Sequence, residues 1–124
     1  MLFRSRASAR ETAARVAAAA VCRKFLMQFG IEIGSYVLEI GAVAASVAHM
    51  PVAERCRLAE TSDVRCPDAA AAERMRVHIR EIMLAKDTLG GIFEVAAMGV
   101  PPGLGSHVQW DRKLDGRLDR KSVV

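Results

Sequence analysis

Large rings are scarce in this sequence: aromatic residues make up 5% of its 124 residues, with a single Trp and a single Tyr. A core has to come from Ala, Val, Ile, Leu and Met packed closely, and such a core tolerates few gaps. Cysteine is also sparse. Cys22, Cys56 and Cys66 are odd in number and lack the paired CxxC spacing of a zinc site, so they read as free thiols in a reducing compartment. His49, His78 and His107 stand far apart, none three or four residues from a second His or Cys, and no metal site is expected. No apolar run approaches the length of a membrane span. The stretch Val16 to Cys22 is too short for a targeting peptide and is followed by Arg23 and Lys24. A cytoplasmic protein without a membrane partner is expected.

Acids are missing where bases gather. The formal net charge is +4, and between Met1 and Gly30 the residues Arg4, Arg6, Arg10, Arg15, Arg23 and Lys24 face Glu11 alone. Such a segment suits nucleic acid, an anionic surface or a phosphorylated small molecule. Nucleic acid is the poorer fit, because no Tyr, Trp or His is interleaved with the arginines and the rest of the chain is close to neutral.

The length fits one small domain, and neither an internal repeat nor a low-complexity linker divides it. Ser8-Ala9-Arg10-Glu11 has the form of a capping box, which predicts a helix from about Ala9 to Phe29, stopped by Gly30 in the left-handed position. The alanine-rich surface of that helix predicts close neighbours on more than one side. "IEIGSYVLEI" predicts a strand, with Ile31, Ile33 and Val37 on one face and Tyr36, Leu38 and Ile40 on the other. From Ala42 to Cys66 the pattern weakens to a short helix after Pro51 and an irregular link. Pro67 suits the first turn of a further helix in which Ala71, Met75, Ile79 and Ile82 recur at helical spacing. A strand follows from about Ile92, then the turn "PPGLGSH" and a last helix near Trp110 or Asp111 carrying Leu114 and Leu118.

Among candidate sites the arginine-flanked helix start is the sharpest, since amides at a helix N-terminus favour an anion and Arg6 and Arg10 flank them. The structural alternative is that Ser8 and Glu11 satisfy those amides while the arginines are solvated. "GVPPGLGSH" lacks the GxGxxG spacing and the GK[ST] ending of a phosphate loop and reads as a turn. Trp110 reads as an anchor for that turn, and Asp111 as a cap for the helix after it. No Ser/His/Asp or Cys/His set can be assembled.

Taken in order, "RASARETAARVAAAAVCRKFL", "FGIEIGSYVLEIGAV" and "DTLGGIFEVAAMGVPPGLGSHVQWDRKLDGRL" resemble consecutive central motifs of the chorismate synthase family. The resemblance runs from about Arg6 to Leu118. It implies an α+β fold with helices sandwiched between antiparallel sheets, assembled as a homotetramer. It further implies a carbon–oxygen lyase that removes phosphate from 5-enolpyruvylshikimate 3-phosphate by a 1,4-anti elimination, with reduced FMN as cofactor and histidines as acid and base. The family's R-[AS]-S-A-R-E-T motif is matched by Arg6 to Thr12. By this resemblance Arg6, Ala7 and Ser8 face FMN, while Ser8, Ala9 and Arg10 face the anionic substrate, Arg10 offering a planar fork and a permanent charge. His49, His78 and His107 match no catalytic histidine of the family, so no catalytic residue is assigned. The Gly-Glu-Ser-His-Gly portion and the C-terminal flavin-binding portion of the family are not in these residues. The chain is therefore expected to hold a central segment, 1–118, with a divergent tail, 119–124, and to be inactive alone. Ala19 stands where the family usually keeps Gly, so a methyl is expected at a close helix contact. A second function class, a small basic module binding an anion or nucleic acid on the same scaffold, also fits the charge.

Overall fold

The computed structural model describes residues 9–119. Helix α1 (Ala9–Met27) is built from strong helix formers and ends in a Schellman cap. Gly30 takes φ +72°, its N–H donates to the Met27 carbonyl at 3.1 Å, and the Ile31 N–H donates to the Leu26 carbonyl at 3.2 Å. Any side chain would be strained at that φ, so Gly30 is what lets the chain turn directly into β1 (Glu32–Ile40).

Strand β1 lies at the centre of a three-stranded antiparallel sheet of order β2-β1-β3, between β2 (Val43–Ala44) and β3 (Gly91–Met98). Only β2 is unforeseen, because two residues are too short to carry a period. The register of β1 against β3 slips between Val37 and Glu39, so Leu38 has no partner opposite it. This bulge corrects the expected faces: Ile40 joins Val37 on one cluster, while Tyr36 and Leu38 belong to the other.

Helices α2 (Val52–Glu60) and α3 (Ala69–Ala85) each complete one of the two clusters. Tyr36 is covered by Cys56 and Ala59 of α2, with the Arg55 guanidinium donating to its hydroxyl at 3.1 Å. The second cluster is Cys66, Ala71, Ala72 and Met75, against which Val37, Ile40 and Val43 pack. Pro67 does not open α3. It stands one residue before the cap, and Asp68 does the capping instead: Oδ1 accepts from the amides of Ala70 and Ala71 at 3.0 and 3.1 Å, while Oδ2 accepts from Ser46 at 3.2 Å. A carboxylate satisfies orphan amides and a proline ring satisfies none.

After β3 the chain makes a 3₁₀ turn (Trp110–Arg112) and a short helix α4 (Leu114–Asp119). Trp110 is 71% exposed and anchors no core, since nothing else in the described chain packs over it. Asp111 lies inside the 3₁₀ turn rather than at the cap of α4. The α+β class stands, with one antiparallel sheet of the expected sandwich among the described residues.

Candidate functional site

The described part of the arginine-bearing motif is the first turn of α1. Arg10 is exposed there, and Glu11 accepts from the Arg15 Nε at 3.2 Å along the helix surface. That pair spans four residues and stays in solvent, so its contribution is at most a few tenths of a kcal/mol, about 0.3–0.5. Arg15 therefore has a local partner, while Arg10 has none among the described residues and stands at the end of the helix where an anion is favoured. The readings of Arg6, Ala7 and Ser8 lie outside the described residues. Ala19 is exposed, so within this chain its methyl crowds nothing.

The histidines are scattered. His49 and His107 are exposed, while His78 on α3 sits 3.4 Å from Glu81 and backs onto the turn at Gly41. His107 lines an open hollow of about 400 Å³ with Gly105, Ser106, Lys113 and Asp115. The structure brings neither His49 nor His78 to it, and it lies on a separate part of the chain from Arg10. Among the described residues no group of His, Cys, Asp and Glu could hold a metal ion, and no helix is long and apolar enough to cross a membrane.

A groove that the sequence did not disclose runs between α1, α2 and the start of β1. It encloses about 320 Å³ and is lined by Arg23, Met27, Glu32, Gly34, Cys56 and Glu60, among others. Its floor depends on Gly34, because a Cβ there would stand 2.8 Å from the Cys56 Cβ. Its lining residue Glu60 is held from outside the groove by Arg65, which donates to both Glu60 carboxylate oxygens, at 2.9 and 3.2 Å, and to the Ser35 carbonyl at 3.1 Å. The Arg65 guanidinium holds the Glu60 carboxyl below the usual carboxylate range, and burial pushes the Cys56 thiol up. The groove is thus a hollow at the seam of α1, α2 and β1, and its sequence signal is a glycine inside a strand.

Comparison with known proteins agrees with the motifs. The family model described as Chorismate synthase matches residues 3–123. A chorismate synthase of Symbiobacterium thermophilum is 55% identical over 117 residues, covering 91% of this chain and 29% of that protein. One of Listeria monocytogenes is 50% identical over 119 residues, covering 95% of this chain and 31% of its own length. A solved structure described as "Crystal Structure of Chorismate Synthase" superposes with a TM-score of 0.85 at 47% identity, over 95% of this chain and 38% of that one. The chain spans under a third of the length of the curated relatives it matches. With motif order, fold and family match in agreement, the chain belongs to the chorismate synthase family.

Proposed function

We propose that this chain is a central segment, 1–118 with a divergent tail at 119–124, of a chorismate synthase, and that it supplies the arginine-bearing edge of the active site. The observation that carries the segment reading is the family match over residues 3–123 by a chain that covers only 29% of a relative, while the boundary at 118 rests on the last family-like motif, which ends at Leu118. In this reading Arg6, Ala7 and Ser8 hold FMN, and Ser8, Ala9 and Arg10 hold 5-enolpyruvylshikimate 3-phosphate. Reduced FMN, when bound, supplies electron density as phosphate leaves the substrate. The chain's own contribution is electrostatic and positional: Arg10, exposed at the positive end of α1, orients an anionic group without exchanging a proton.

No described histidine joins Arg10, so acid and base functions come from portions of the family chain that these residues do not include. The isolated chain is accordingly inactive, and catalysis belongs to the family's cytoplasmic homotetramer. Free Cys22, Cys56 and Cys66 suit such a reducing setting. The test is a fluorescence titration with FMN together with a chorismate assay run with reduced FMN. Saturable FMN binding lost in Arg6→Ala, without chorismate formation, supports the reading. Chorismate formation by the chain alone at a rate near that of a full-length relative would refute the fragment claim. Salt-sensitive RNA binding with no flavin binding would favour the basic module instead.

A further inference from the structure

Much of the apolar surface of α1 and β3 is open: Val16, Val21 and Phe25 on the helix, and Ile92, Phe93 and Val95 on the strand, are each more than half exposed. The hollow between α1, α2 and β1 differs from these faces, because it is walled by three elements and each turns one regular side to it. On α1, Arg23 and Met27 stand four residues apart and so share a side of the helix. On α2, Ala53, Cys56, Arg57 and Glu60 recur three and four residues apart as a single stripe. On the sheet, Glu32 is the cross-strand partner of Met98, which sets their side chains next to each other on one face. Packed interiors leave few voids larger than a water molecule. Here about 320 Å³ stays open, near the lower end of the volumes that hold small ligands.

The charges around the hollow are unevenly matched. Arg65 binds both oxygens of Glu60, and Arg57 lies 4.0 Å from Glu54. Arg23 and Glu32 are exposed and form no ion pair among the described residues. One guanidinium and one carboxylate therefore stay uncommitted beside walls that include Met27, Ala53 and Met98. An inorganic ion would answer one of those charges and leave the apolar walls wet, and a purely apolar molecule would desolvate both charges without pairing either. We propose that the hollow binds a free α-amino acid with an apolar side chain. Arg23 takes the carboxylate on its planar fork, Glu32 takes the ammonium, and the side chain displaces water from the methionine walls. This site uses neither Arg10 nor the flavin motif, and it stands independently of the function proposed above.

The test titrates L-leucine into the 124-residue chain carrying isotope-labelled methionine methyl groups, read by NMR. Met27 and Met98 line the hollow, Met75 is buried in the other cluster and Met83 is exposed on α3. Expected are saturable shifts of the Met27 and Met98 signals with a Kd on the order of 1 mM, while Met75 and Met83 stay in place. Arg23→Gln and Glu32→Gln should each weaken binding at least about tenfold, the loss of one charge-assisted contact. Isocaproate, which lacks the ammonium, and isoamylamine, which lacks the carboxylate, should lose as much. Both replaced side chains are exposed, and an unmoved Met75 signal shows that each variant still folds. No saturable shift, undiminished binding by either variant, isocaproate held as tightly as leucine, or equal shifts at Met83 would overturn the inference.

Discussion

Lys86 and Arg65 both take left-handed backbone, at φ 56° and 55°, and they differ in what they receive for it. Lys86 ends α3 as a glycine would, its N–H donating to the Met83 carbonyl at 3.2 Å, and its exposed side chain makes no bond among the described residues. Lys86→Gly is expected to raise stability by about 1 kcal/mol, the usual left-handed penalty for an L-residue, read as a higher urea midpoint at unchanged slope. Arg65 uses the same conformation to lay its guanidinium on Glu60 and Ser35 while its carbonyl accepts from the Val37 amide at 2.9 Å. Arg65→Ala is expected to cost about 1 kcal/mol through the lost bond to the Ser35 carbonyl. Glu60 adds a smaller term in solvent. Because its folded pKa lies below the unfolded one, that term is present above the ordinary carboxylate range and fades as pH falls through the folded value. The gap between the native chain and Arg65→Ala should narrow below about pH 4, and a gap that widens on acidification would contradict the assignment.

At the scale of elements, α2 is seated on β1 through the absence of a side chain at Gly34. A methyl there would meet Cys56, whose Cβ would lie 2.8 Å away. Gly34→Ala is expected to cost about 1–3 kcal/mol by overpacking. It should also expose the Cys56 thiol, so that Cys56 reacts with a maleimide nearly as fast as exposed Cys22 while Cys66 stays shielded. Unchanged stability with Cys56 still shielded would show that α2 is not held where described. The elements themselves were largely legible: the α1 stop at Gly30, β1, α3 and β3 lie close to where turn residues and periodicity put them. The faces of β1 were not, because one unpaired residue at Leu38 reverses the alternation beyond it. Nor was the cap of α3, since Asp68 is fixed partly by Ser46, which is 22 residues away in sequence.

For the whole molecule, the core is small: among the described residues only Tyr36 and Met75 are large, fully covered side chains. Heating the chain alone should therefore give a broad transition, with a calorimetric enthalpy that departs from the van't Hoff value. A single sharp two-state melt would mean that α1 and β3 are stable without cover. The candidate site was legible only as a motif. Arg10 at the first turn of α1 follows from the R-[AS]-S-A-R-E-T match and the helix pattern, both local properties of consecutive residues. Family, helix and strand positions, free cysteines and the basic segment were determined by sequence alone for the same reason: each depends on residue type and near-neighbour spacing. What only the tertiary structure decided depends on residues far apart along the chain: the groove under Gly34 and Cys56, the Arg65 clamp on Ser35, the exposure of Trp110, and the uncovered sides of α1. The last two turn on whether anything packs over a side chain, and no local pattern can encode a neighbour that the chain itself does not supply.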